Sequence, residues 1–273
     1  MFYRNSKYIS LHSVAILCGF AFFTAVAATQ TASSSAASMS PGAEAHPILV
    51  ELFTSEGCSS CPPADEFIQK LDTLQPVHGA QLIVLSEHVD YWDGDGWKDP
   101  NSSHALTQRQ ADYVRALGLS TAYTPQIIVD GTKEARISDS KQLQDVFQQA
   151  AATSKIPIRL STVAVNQGKP GLISAHIETD TADHSADVFL VVALSHVESQ
   201  VLHGENGGRH LTHVAVVQQL AKVGKLQKGK SFAQDVHVQL KTAPDPGNIR
   251  VVAFAQTSGP GKLLGAALWK AVP

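Results

Sequence analysis

The hydrophobic pattern of the chain changes period near residue 156. Before that point, short apolar runs alternate with helical repeats. Ile48 to Phe53 is apolar except for Glu51, which suits a buried strand. Phe67, Ile68, Leu71 and Leu74 recur at helical spacing, so a helix is predicted to start near Cys58. Leu82-Ile83-Val84-Leu85 is fully apolar, as a central strand should be. A long polar and aromatic segment follows, His88 to Ser103. Next comes a helix from about Ala105 to Leu117, stopped by Gly118. Thr124 to Val129 reads as a strand entering an Asp130-Gly131 turn, and Leu143, Val146 and Phe147 mark a closing helix. Beyond residue 156 the runs become Val-rich or alternating: 159–165, 172–178, 188–195, 236–240, 249–256 and 263–269. Gly, Pro, Asn and Asp separate them, the pattern of a β-sandwich. The expected fold class is an α/β domain over 47–155 followed by an all-β, sandwich-like domain over 156–273, with Pro157 near the boundary.

The N-terminal region has a different character. Arg4 and Lys7 precede an apolar stretch from Val14 to Ala27, and Ala25-Val26-Ala27 offers a small-x-small cleavage site. Residues 1–28 are therefore expected to be a secretory signal. A membrane anchor is the competing reading, but the run is shorter than the roughly 20 residues a spanning helix needs. Residues 29–46 are mostly Ser, Ala, Thr and Gly, too polar and small to bury a core, and read as a flexible leader. The expected product is secreted, in the periplasm of a Gram-negative bacterium, with no stable membrane anchor after cleavage.

Composition adds little beyond this. The 273 residues are 44% hydrophobic and 16% charged, which is ordinary for a globular protein. Losing Arg4 and Lys7 with the signal takes the formal net charge from −3 to −5. No basic run or aromatic–basic cluster points to nucleic acid.

Candidate chemistry centres on Cys58-Ser59-Ser60-Cys61. The chain has three cysteines, and Cys18 lies in the segment expected to be removed. The mature protein then holds one Cys pair at the start of a helix, where the helix N-terminus favours a thiolate. In an oxidising compartment the pair is expected to rest as a disulfide. Structural zinc would need about two more ligands, and neither a second Cys pair nor an HxxxH cluster is present. An inert structural disulfide is the other alternative. The Thr124-Pro125 step precedes an apolar strand at some distance from the Cys pair. Together with the strand–CxxC–helix unit and the Asp130-Gly131 turn, it resembles the thioredoxin fold.

That resemblance implies roles. Cys58 would be the exposed nucleophile and Cys61 the resolving thiol. Pro125 would be a cis-proline beside them, and Thr124 would pair with an extended substrate. Ser59 and Ser60 would help set the potential. Glu51, an acid in an apolar strand, is a candidate proton relay; a salt bridge or an edge position would explain it equally. His88 ends the second predicted strand, at the sheet end where open α/β folds carry their sites. With Tyr91, Trp92 and Trp97 it could wall a substrate groove.

A closer resemblance covers nearly all of the mature chain. The run Val50-Glu51-Leu52-Phe53-Thr54-Ser55-Glu56-Gly57-Cys58-Ser59-Ser60-Cys61-Pro62-Pro63-Ala64-Asp65 is similar to the signature of the DUF1223 family of secreted bacterial proteins. So are His88 to Asp93, Gly96 to Pro100, Tyr123 to Gln126, Val129 to Gly131, Gly204 to Asn206 and Leu211 to His213. The family implies a thioredoxin-like fold but no established activity. The glycine-rich stretch Gly204 to His210 lacks the Lys-Ser/Thr of a phosphate loop. Arg209, His210 and His213 could meet the Cys pair, or belong to a plain hairpin.

The leading expectation is thiol–disulfide exchange on envelope proteins. It would need no bound cofactor or metal, a protein thiol or disulfide as substrate, and a separate redox partner. One alternative is a copper-handling protein using the Cys pair and His88, since soft thiolates suit Cu(I). Another is a non-catalytic binding module with a structural disulfide.

Overall fold

Alternating faces organise the first half of the molecule. The computed structural model describes residues 46–165, 171–243 and 245–271. The expected signal peptide, 1–28, and all but the last residue of the expected leader, 29–46, lie outside the described residues. β1 (His46–Thr54) pairs in parallel with β2 (Ala80–His88), and α1 (Pro62–Leu74) connects them. Even-numbered residues of both strands, Val50, Leu52, Leu82 and Val84, pack under Ala64, Ile68 and Leu71 of α1. Odd-numbered Leu49, Ile83 and Leu85 face the other side, towards Leu106 of α2 (His104–Leu117). Gly118, in the left-handed conformation, ends α2.

β3 (Gln126–Val129) runs antiparallel to β1 and turns into β4 (Lys133–Ala135). Asp130 and Gly131 have φ of 49° and 66°, as a two-residue turn that follows the strand twist requires. Gly131 is required for a second reason: a Cβ there would meet the Gly261 carbonyl oxygen at 2.2 Å. α3 (Ser140–Ala152), capped by the Asp139 side chain, closes this half.

The described second half has seven strands and one short 3-10 turn, Pro246–Asn248: β5 (Ile158–Val165), β6 (Leu172–Thr179), β7 (Ala186–Gln200), β8 (His210–Leu226), β9 (Phe232–Gln239), β10 (Ile249–Gln256) and β11 (Leu263–Lys270). Two sheets result. One has eight strands in the order β11-β10-β7-β8-β2-β1-β3-β4, the other three in the order β5-β6-β9. The small sheet packs on β7 and β10 through Ile173, Ile177, Val188, Leu190, Val236 and Val251.

This architecture overturns the expected thioredoxin-like α/β domain with a separate β-sandwich. The described residues are mostly strand, with three α-helices, and the large mixed sheet runs through both halves. The cause is β8, a 17-residue strand to which the sequence pattern assigns no element. It pairs antiparallel with β7 along its length and parallel with β2 at Ser86 and Val216. The α/β sheet therefore does not end at β2. In β8 the polar residues Gln218, Gln219, Lys222 and Lys225 do not alternate, since two are adjacent and the rest fall three apart, which hides the strand period.

Side chains fasten the two halves as well. Arg250 of β10 donates two 3.0 Å bonds to the Asp72 carboxylate of α1. Burial alone would raise the Asp72 pKa, but Arg250 and Lys270 outweigh it and hold the carboxyl below its ordinary value. At Asp130, the carboxylate accepts from the Leu49 amide and pairs with buried Lys155, while the backbone carbonyl accepts from the Leu263 amide.

Candidate functional site

Cys58 and Cys61 form a disulfide, with Cα atoms 5.4 Å apart. The pair sits where β1 gives way to α1. Cys61 occupies the N-cap of that helix, and Pro62 and Pro63 fill its first positions, where their missing N–H groups cost nothing. The Cys61 carbonyl accepts from the Ala64 and Asp65 amides, which starts the helix.

Both cysteines have 0% exposure, whereas Ser59 and Ser60 between them are exposed. The Ser60 hydroxyl lies 3.3 Å from Cys58 Sγ and reaches the Thr124 carbonyl oxygen at 3.5 Å. The Thr124–Pro125 peptide is cis. Trp92 Nε1 donates to Thr124 Oγ1 at 2.8 Å, so one aromatic residue of the 88–103 loop is tied to the segment beside the disulfide. Trp97 Nε1 donates to Glu56 Oε2 at 2.8 Å. Tyr91 is 43% exposed and points its hydroxyl at Gln110.

The β7–β8 loop covers the pair from the other half of the sequence. Asn206, fully buried, donates from Nδ2 to the carbonyls of Glu56 and Cys58, both at 2.9 Å. Glu205 accepts from the Ser59 amide at 3.0 Å, and Arg209 holds the Asn206 side-chain oxygen. Gly204 lets the loop approach closely: its φ is +75°, and a Cβ there would sit 3.0 Å from the Asp95 carbonyl oxygen. His210 stays at the surface near Glu198.

Two buried polar clusters occupy opposite faces of the sheet behind this end. On the α1 face, His88 Nδ1 is 2.6 Å from Asp99, and Thr54 Oγ1 donates to Asp65. His213 of β8 lies edge-on to His88 with ring centroids 4.8 Å apart. Burial would raise the Asp99 pKa, yet the His88 charge and the Glu56 and Asn101 amides hold it at about 2. Burial would lower that of His88, but Asp99 raises it.

On the α2 face, Arg109 and Tyr113 bind Glu51 at 2.7 and 2.5 Å, and Gln256 of β10 joins them. Glu87, beside this group, has its pKa driven well up by burial and by the Glu51 charge. Glu51 therefore lies on the strand face away from α1 and the disulfide, in the salt-bridge arrangement rather than beside the thiols.

Among the sequence candidates, the fold brings Cys58, Cys61, Ser59, Ser60, Thr124, Pro125, Trp92 and Trp97 together and places His88 behind them. Glu56, Asp65, Asp99 and Asn206 carry much of the site but had no assigned role. For Glu56 and Asp65 the signal was available, because both acids directly flank the Cys pair. Among the described residues no three His, Cys, Asp or Glu side chains are disposed to hold a metal ion. The disulfide also leaves no thiolate for copper in this state.

The family described as "Protein of unknown function (DUF1223)" matches residues 49–256. A crystal structure of protein AGR_C_4864 from Agrobacterium tumefaciens is similar over 85% of this chain and 97% of its own, with 26% identity and a TM-score of 0.66. The sporulation control protein Spo0M from Bacillus subtilis matches 42% of this chain and 46% of its own at 14% identity, with a TM-score of 0.27 that supports no argument. No protein of curated function matches the chain.

Proposed function

The chain belongs to the DUF1223 family, and from the site's own chemistry we propose that it is a thiol–disulfide oxidoreductase acting on protein thiols. One observation carries this reading. The disulfide joins Cys61, the N-cap of α1, to Cys58 across the exposed Ser59-Ser60 turn, with a helix N-terminus at one sulfur and the buried acids Glu56 and Asp65 on either side. A helix N-terminus stabilises a thiolate leaving group, and that promotes exchange. In the proposed reaction a substrate thiolate attacks Cys58, and Cys61 departs as a thiolate stabilised by α1. In this reading Ser59, Ser60, Thr124, Trp92 and Trp97 would contact the substrate. Export through the signal at 1–28 would place the pair in an oxidising compartment, where the disulfide is its resting form. A separate redox partner would then restore that form.

The burial of both cysteines favours a second reading, a structural staple in a binding module. The variant Cys61→Ser separates the two. In a working exchange site the Cys58 thiolate attacks a substrate disulfide and stays joined to one of its sulfurs while the other leaves as a thiol, seen as mixed disulfides on non-reducing gels. A staple gives a free, unreactive Cys58 and a less stable fold.

A further inference from the structure

The polar cluster on the α1 face leaves five buried atoms without partners: Glu56 Oε1, Asp65 Oδ2, His88 Nε2, and both ring nitrogens of His213. All four residues are essentially inaccessible, with Asp65 the most exposed at 5%. Each such orphan costs about 1–3 kcal/mol, so native proteins keep few of them, and five in one cluster ask for an explanation. Both His213 nitrogens face carboxylates. His213 Nδ1 is 3.6 Å from Asp65 Oδ1, and Nε2 is 3.9 Å from Glu56 Oε1, both just beyond hydrogen-bond reach. His88 stands edge-on to the same ring and is anchored on its far side by Asp99.

The cluster also has a defined relation to the disulfide. Glu56 lies two residues before Cys58. Asp65 lies four after Cys61, its amide bonded to the Cys61 carbonyl at 3.1 Å, so the two side chains share a helix face. His213 bridges the acids from β8. We propose that Glu56, Asp65, His88 and His213 form a proton store for the Cys58–Cys61 couple, with His213 as its exchange point. The proposal rests on the exchange reading above.

The chemistry balances with a substrate dithiol as reductant. One substrate thiolate attacks Cys58 Sγ, the Cys58–Cys61 bond breaks, and a substrate–Cys58 disulfide forms. Cys61 leaves as a thiolate and takes a proton from the store by way of Asp65. The second substrate thiolate then attacks the substrate sulfur, closing the substrate disulfide. Cys58 leaves and is protonated from solvent. Two electrons pass from the dithiol to the Cys pair. The two substrate thiol protons are lost to solvent, which later refills the store. His213, between two carboxylates and beside His88, can hold the transferred proton without creating an isolated buried charge.

The test follows reduction of the oxidised protein by excess dithiothreitol from pH 5 to 9, by thiol trapping, with rates divided by the reagent's thiolate concentration. Wild-type rates so corrected should fall as pH rises and the store empties. His213→Asn should react about a hundredfold more slowly at pH 6, the low end of what a positioned acid supplies, with a flat profile. Asp65→Asn should do the same. If the wild type resists reduction at every pH, the exchange reading itself fails. If the wild type reacts and both variants keep its rate and pH profile, the store is wrong while exchange stands. Should the variants not fold, the His213 ring nitrogen signals of wild-type protein decide. They must differ between oxidised and reduced forms, and identical signals overturn the proposal.

Discussion

At the scale of single residues, the His88–Asp99 pair makes the clearest demand. Its two partners move in opposite directions, and the sign follows for each. Asp99 is depressed to about 2, so its contribution exists above its unfolded value of roughly 4 and is lost as pH falls through about 2. His88 is raised, so its contribution is full below roughly 6.5 and fades as pH rises through the folded value. The pair therefore supports the fold most between about pH 4 and 6.5. Asp99→Asn should cost about 3 kcal/mol there, read by urea unfolding, with the deficit shrinking towards alkaline pH. A deficit independent of pH would show that the pair is not ionic. This partnership was not legible in the sequence. His88 and Asp99 are both in the quoted motifs, but their contact depends on how the 88–103 loop folds back. The Cys pair was legible, because few chemical roles fit two cysteines at the mouth of a helix. Glu51 shows the limit of such reading: its place in an apolar strand marked it as unusual, but not which face it occupied.

At the scale of elements, the β7–β8 loop controls access to the disulfide. Asn206 ties down the backbone on both sides of Cys58, and Glu205 holds Ser59 between the cysteines. A buried disulfide can exchange only when such contacts open. Asn206→Ala removes the two hydrogen bonds to the Cys58 segment and the one from Arg209, worth about 1.4 kcal/mol or more together. Reduction of the disulfide by a small thiol should then quicken by about tenfold, measured by stopped-flow thiol trapping. An unchanged rate would mean that the loop does not limit access. Elements with one clear period were legible. α1 and α3 bury apolar residues at helical spacing, α2 buries Leu106, Arg109, Gln110 and Tyr113 at the same spacing, and β2 and β10 contain continuous apolar runs. β8 was not, because one part pairs with β7, another meets β2, and its faces change environment along its length.

At the scale of the whole molecule, continuity of the large sheet places the site. Were the halves separate domains, the cover over the Cys pair would be incidental. Instead β8 joins β2 directly and delivers both His213 and the Asn206 loop to the disulfide, while Arg250 and Gln256 bind α1 and α2 from the far side. The sequence pattern showed two different halves but not their shared sheet, since strand pairing between distant segments leaves no periodic mark.

The central claim is that Cys58–Cys61 is an exchanging couple. It is tested by the equilibrium reduction potential of the metal-free protein, titrated with glutathione or dithiothreitol and read by thiol trapping. An exchanging couple should be reversible between roughly −270 and −120 mV. A disulfide that stays oxidised below about −300 mV would contradict it and leave a structural staple.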